Sequence, residues 1–352
     1  MSPNYIESND NKRTTGMILL GYHRKPQQEL WRAEKSALYN FPVSIFSAVM
    51  GTAGLSRALR LAEDLFQIGR YWSIISGILA WLVFSITAFI FIIKLTVYPY
   101  KVLAEFTDPV QGRFYGTIPI SLLLLAAVTM PYSWLAGLCC WITGTGLIFL
   151  LSYITVYNLL TKLHRETDFE PAMILPAVGI LNVAQTGGFI HAFWVDELNI
   201  FCLAVGAVLT IVFLNLIFSR LLHFPRLNDK MEPTLMILMS PFGVCFLAYT
   251  AVSGHVDLFA AVLFYFGLFL FLILVFRILL HQNGFKYTWW SLAFPVAALT
   301  NAAFQYAAHN HRQLSAFIAG FLLAFLSTLI IYLLFKSIHF LIKGRLLTIE
   351  SF

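Results

Sequence analysis

Ten apolar stretches, separated by short polar connections, follow one another from residue 37 almost to the C-terminus, and a helical crossing of a hydrocarbon core about 30 Å thick needs about 20 such residues. They run Ala37–Leu55, Tyr71–Leu95, Phe114–Met130, Trp134–Leu160, Ala172–Phe193, Asn199–Ser219, Leu235–Ser253, Leu258–Leu280, Tyr287–Ala308 and Leu314–Phe335. Strands of a membrane barrel would alternate apolar and polar positions over about ten residues. Here Ile74–Ile93 and Phe317–Phe335 are apolar almost throughout, so the pattern predicts helices.

The ten segments fall into two classes. Every odd-numbered one contains a proline near its N-terminal end: Pro42, Pro119, Pro176, Pro241 and Pro295. The even-numbered ones contain none between their ends. A proline inside a helix removes a hydrogen bond and collides with the carbonyl four residues back, so the chain reads as five copies of a broken helix followed by a plain one. Successive prolines are 77, 57, 65 and 54 residues apart, about the length of a helical hairpin, and such a repeat implies pseudo-symmetry. Broken backbone at membrane depth is tolerated where protein buries it or where it lines a cavity. The expected architecture is therefore an all-α integral membrane protein of ten transmembrane helices. Five hairpins stand in quasi-fivefold arrangement around a central pore, with the odd, proline-kinked helices inside and the plain ones facing lipid.

Composition agrees. The chain has 352 residues, of which 59% are hydrophobic and 11% charged, against roughly 25% charged in ordinary soluble domains. The expected organisation is a polar N-terminal tail over residues 1–36, a channel domain over 37–340 and a C-terminal tail over 341–352. The N-terminal tail lacks the apolar run and cleavage site of a signal peptide; Ser8 and Thr14 in it are candidate modification points for a kinase or another regulatory protein. The tails and the connections after the even segments, together with Lys94 and Arg277 at the ends of two of those segments, hold 19 of the 23 Lys and Arg residues. Because cytoplasmic loops keep the positive excess, both termini are expected to be cytoplasmic, in the cell membrane.

The odd segments also carry small and hydroxyl side chains. Ser44, Ser47, Thr117, Ser121, Thr186, Gly243 and Ala297, with Phe114, are candidate pore-lining positions, although small residues equally serve close helix packing. No Asp, Glu, Lys or Arg lies in the middle of a predicted span; Lys94 and Arg277 are expected to reach water from the span ends. Coupled carriers keep ionisable groups at depth, so a passive conduit is favoured over a carrier, and enzymatic acid–base chemistry is disfavoured. Cys139, Cys140, Cys202 and Cys245 show no ligand spacing, and neither metal nor cofactor is expected, nor a nucleic-acid partner. His191 and His309, and the pair Trp289–Trp290, read as interfacial side chains. Phe294, immediately before Pro295 and among small neighbours, is the candidate for a ring that closes a narrow lumen sterically and by dewetting.

Several strings together resemble the tellurite-resistance and C4-dicarboxylate transporter family, which includes bacterial TehA proteins and the slow anion channels of plant guard cells. They are the prolines of the odd segments, Val102-Leu103-Ala104-Glu105-Phe106-Thr107-Asp108-Pro109-Val110, Ile118-Pro119, Leu175-Pro176-Ala177-Val178, Ser240-Pro241 and Trp290-Ser291-Leu292-Ala293-Phe294-Pro295. The resemblance implies a quasi-fivefold bundle, assembly as a homotrimer in membrane lipid, and passage of small inorganic anions such as chloride and nitrate. It also implies that Phe294 occludes the pore. The alternative function within the same resemblance is transport of C4-dicarboxylates or of an oxyanion such as tellurite.

Overall fold

The computed structural model describes residues 37–163, 165, 168–225, 227–228, 231–280 and 285–342. The tail over 1–36, with Ser8 and Thr14, and the C-terminal tail beyond residue 342 lie outside the described residues. Among those described the chain is helical, with no strand.

The helices, in chain order, are α1 (Ser47–Leu65), α2 (Tyr71–Val97), α3 (Pro99–Thr107), α4 (Thr117–Thr129), α5 (Trp134–Thr161) and α6 (Leu175–Gly187). They continue with α7 (Phe193–His223), α8 (Ser240–Ser253), α9 (Leu258–Leu280), α10 (Ala293–Asn310) and α11 (Gln313–Ile342). Counting adjoining 3-10 turns, seven helical stretches are long and apolar enough to cross a membrane. They are Tyr71–Val97, Gln111–Thr129, Trp134–Thr161, Phe193–His223, Glu232–Ser253, Leu258–Ile278 and Gln313–Phe340. The other three expected segments correspond to α1, α6 and α10. α1 carries Arg57, Arg60, Glu63 and Asp64, α6 with its 3-10 turn is a shorter apolar helix, and α10 is rich in Ala, Asn, Gln and His. All three are largely buried among other helices, so their side chains need not be lipid-soluble.

A tight 3-10 segment precedes each of α1, α4, α6, α8 and α10: Val43–Phe46, Gln111–Gly116, Pro171–Ile174, Glu232–Met239 and Tyr287–Leu292. The prolines mark the change of helix type. Pro176 and Pro241 are the second residues of α6 and α8, and Pro119 and Pro295 the third residues of α4 and α10. At those positions an α-helix needs no N–H donor, so the proline ends the 3-10 run without costing the α-helix a bond. Pro42 differs from expectation: it is extended backbone (φ −84°, ψ 139°) ahead of the first 3-10 segment, and not inside a helix.

Each of the five helices behind a 3-10 segment, called proline-bearing although Pro42 lies ahead of α1, packs on the plain helix that follows it: α1 on α2, α4 on α5, α6 on α7, α8 on α9 and α10 on α11. The proline-bearing helices also pack on one another in the order α1, α4, α6, α8, α10 and back to α1. Their 3-10 segments touch in the same order at one end. Very close approaches hold this circuit together. A Cβ on Gly54 would lie 2.6 Å from the Ala297 Cβ, and one on Gly243 2.9 Å from the backbone of Ala298 and Leu299.

Two expectations about charge are corrected. α1 continues to Leu65 instead of stopping at Leu55, which puts Arg57 and Arg60 on a helix. The charges there look like a loop, but Glu63 is buried and its carboxylate accepts the N–H groups of Trp72 and Ser73, both at 2.9 Å, and the Ser73 hydroxyl. It thereby caps the first turn of α2, where unpaired donors need an acceptor. Lys94 does not reach water. It is fully buried and donates to the Phe41 carbonyl (2.7 Å) and to both Glu105 carboxylate oxygens (2.8 and 2.7 Å), which ties α2 and α3 to the backbone just before Pro42. Trp290, expected at an interface, is also buried, its indole donating to Ser337.

Candidate functional site

Successive residues of an α-helix are about 100° apart, so the contacts each helix makes leave a definable stripe. On α10, Ala293 and Ala297 abut Gly51 and Gly54 of α1, the Ala298–Leu299 backbone meets Gly243 of α8, and Tyr306 stacks on Phe264 of α9. Phe294, Asn301 and Gln305 share the remaining stripe, on the side away from α9. Phe294 is 4% exposed. Asn301 donates to the carbonyls of Gly54 (3.0 Å) and Ala297 (2.7 Å), and its Oδ1 is buried with no partner.

The same reading applies to α6. Gly179 faces Ile120 and Ile148, Thr186 donates to the Leu123 carbonyl of α4, and the Val183 carbonyl takes the Trp141 indole of α5. Leu181 lies against Gly206 of α7, and Gly188, just past the helix, against Ala251 of α8. That leaves Val178, Asn182 and Gln185, with Phe189 two residues past the end, directed into the interior of the circuit. The Oδ1 of Asn182 and the Oε1 of Gln185 are buried and without a partner. On α1, Gly51 and Gly54 face α10, while Ser56 and the Thr52 carbonyl bond to Ser73 and Ser76 of α2. Met50 and Arg57 share the inward stripe.

Arg57 reaches furthest. Its guanidinium carbon lies 5.5 Å from the centroid of the Phe189 ring, within cation–π range. α1 packs on α4 and α10, and α6 on α4 and α8, so this contact crosses the interior instead of following the circuit. The 3-10 segments close one end of the circuit, and Arg57 and Phe189 meet toward the other.

Of the eight candidate lining residues, Thr117, Ser121 and Thr186 donate to helix carbonyls, and their bonds to Val43, Phe46 and Leu123 join neighbouring elements. Gly243 and Ala297 sit at close helix contacts. Ser47 is buried at the start of α1, and Ser44, its hydroxyl buried without a partner, lies with Phe114 around a small cavity next to Pro42. On the inward stripes of α1, α6 and α10 the polar groups are Asn182, Gln185, Asn301, Gln305 and Arg57. The 3, 4 and 7 spacings of Asn182, Gln185 and Phe189 were visible in the sequence as one helical face. A larger cavity, about 240 Å³, lies off the interior between the Gln111–Gly116 segment and the end of α5, where Asp108, Arg113, Lys162 and Asp168 line it.

No group of His, Cys, Asp and Glu among the described residues could hold a metal ion. Cys202 and Cys245 are buried, Cys139 is exposed, and all four cysteines are free thiols. Outside the spans, the buried carboxyl of Glu170 at the start of the third 3-10 segment is pushed up by desolvation, partly offset by Arg220.

Residues 40–338 match the family model SLAC1, voltage-dependent anion channel. The chain belongs to this family. It is 26% identical over 314 residues to the tellurite resistance protein TehA homolog of Haemophilus influenzae, covering 87% of this chain and 93% of that protein. Identity to an uncharacterized transporter of Methanocaldococcus jannaschii is 25% over 293 residues, 74% of this chain and 83% of that protein. The S-type anion channel SLAH2 of Arabidopsis thaliana is 24% identical over 296 residues, 80% of this chain and 54% of the plant protein. Family and apolar helices together make this a membrane protein of the channel and transporter type.

Proposed function

We propose that this protein is an anion-selective channel of the cell membrane that conducts small anions such as chloride and nitrate. Its pore runs through the interior of the α1, α4, α6, α8 and α10 circuit and is shut at rest by Phe294. In this reading all ten helical segments cross the bilayer as five hairpins in quasi-fivefold arrangement. Both termini are cytoplasmic, as the basic residues of the loops indicate, and three copies assemble. The 3-10 segments and their prolines shape the cytoplasmic mouth.

One observation carries the gate: Phe294 lies on the inward stripe of α10, almost wholly buried, one residue before the proline that resets the helix. A buried aromatic ring at a constriction blocks ions both by filling it and by excluding water. Anion preference rests on the family and on the sign of the inward charge. Neutral amides and one arginine face the interior, a lining that raises local anion concentration and disfavours cations.

Transport of a dicarboxylate or an oxyanion is the second reading. The tellurite-resistance name of the Haemophilus relative favours it, as does Arg57, a fixed positive group of the kind a carrier site for such anions needs. Proteoliposomes under a chloride gradient separate the two. A reversal potential that follows chloride and shifts when nitrate replaces it supports the channel. Electrically silent liposomes with saturable malate or tellurite uptake support the carrier.

A further inference from the structure

We propose that Arg57 is an anion-binding group at the outer end of the interior, held there by the Phe189 ring. The site builds on the pathway proposed above, and its ligand class is a small inorganic anion.

The guanidinium is committed to nothing that would neutralise it. Among the described residues the close ion pairs are Arg70–Asp64, Lys94–Glu105, Lys101–Glu105, His255–Asp257 and Arg277–Glu232; Arg57 belongs to none. Its Nη1 is buried and has no hydrogen-bond partner. Leaving a buried donor unsatisfied is costly, and more so when it is charged, so an arginine kept in this state points to a ligand that satisfies it. Glu63 on the same helix is no neutralising partner, because its carboxylate is already used by Trp72 and Ser73.

The surroundings select for an anion. The ring face of Phe189 attracts the cation without neutralising it, and so fixes the fork while leaving its N–H edges available. One turn below Arg57, the Gly54 carbonyl is consumed by the Asn301 amide, which removes an acceptor that would compete. One turn before Phe189 stands Gln185, on the same stripe of α6. Arg60, one turn further along α1, lies over the Tyr132 ring at 5.6 Å and also lacks a close carboxylate partner among the described residues. Two arginines parked on aromatic rings make this end of α1 electropositive. A planar fork of N–H donors binds chloride, nitrate and larger oxyanions through charge-assisted hydrogen bonds.

Chloride binding to the detergent-solubilised full chain, read by chloride NMR line broadening with gluconate as control, tests the site independently of conduction. The wild-type protein is expected to broaden the signal, Arg57→Gln to weaken binding by about tenfold or more, as expected for loss of a charge-assisted bond, and Arg57→Lys to keep most of it. Absence of wild-type binding, or unchanged affinity in Arg57→Gln, overturns the proposal. Loss in both variants together with a lower unfolding temperature also overturns it, because Arg57 is then part of the scaffold. Binding that depends on Arg57 in a protein that carries no current supports this site while contradicting the channel reading.

Discussion

The plain helices are on the whole more apolar than the proline-bearing ones, and their surroundings are opposite. In the apolar windows of Gln111–Thr129 and Glu232–Ser253, 67% and 78% of residues are buried inside the protein; in Tyr71–Val97 the share is 17%, and in the remaining four it is 28–33%. The plain helices spend their Leu, Ile and Phe on the outside: Ile75, Ile78, Leu82 and Phe89 form one exposed stripe of α2, which in a membrane protein is the lipid face. The proline-bearing helices spend theirs on each other, and place small residues where they touch. Apolarity thus marks the outward-facing helices, while small residues and prolines mark those that surround the interior. A protein of this plan can carry polar groups and an arginine inward because the surrounding helices shelter them.

The comparison breaks most sharply at Lys94, a charge on a plain helix that is buried completely. Lys94→Met leaves the buried Glu105 with only its longer contact to Lys101 (3.7 Å), and removing one member of a buried pair costs up to about 3–5 kcal/mol. The expected outcome is a large fall in the thermal unfolding temperature in detergent, with recovery in the double variant Lys94→Met/Glu105→Leu. No recovery would mean that the Phe41 carbonyl contact matters more than the charge pair.

Glycines sharpen the contrast. Gly243→Ala drives a methyl into the Ala298–Leu299 backbone, which cannot rotate away, and overpacking of this kind costs about 1–3 kcal/mol. Gly320→Ala on α11 meets nothing within 4 Å and should be neutral or stabilising by up to about 1 kcal/mol through helix propensity. Equal unfolding temperatures for the two variants would erase the distinction between inner and outer packing.

The smallest expected effect lies in the turn joining α8 to α9. The Tyr249 hydroxyl and the Ala260 N–H hold the Asp257 carboxyl below its ordinary value. A group whose folded pKa is depressed adds stability above its unfolded pKa and loses it as pH falls through the folded one. Unfolding temperature should therefore decline slightly more below about pH 4 in the wild-type protein than in Asp257→Asn. Parallel pH profiles would remove this cap from the account.

The helical plan was legible in the sequence because apolar length and proline spacing are local signals. Phe294, the proposed gate, stands out in the sequence for the same reason, as a large ring beside Pro295. What stayed hidden depends on partners far along the chain. Glu63 looks like a loop charge until its acceptor role ten residues away is seen, Lys94 looks water-exposed until α3 folds over it, and the bonds that the Thr117, Ser121 and Thr186 hydroxyls make to neighbouring elements show only once the helices pack. Arg57 reads as a loop residue because the apolar run stops at Leu55. Only a buried helix can afford to keep such a charge.

The central claim is that Phe294 closes an anion pathway through the proline-bearing helices. Currents from reconstituted protein under a chloride gradient, with Phe294 replaced in turn by Leu and Ala, test it most directly. The account predicts near silence in wild type, a small current in Phe294→Leu and a large one in Phe294→Ala, each reversing near the chloride potential. A well-folded Phe294→Ala protein that stays as silent as wild type, or whose current ignores the chloride gradient, would contradict it.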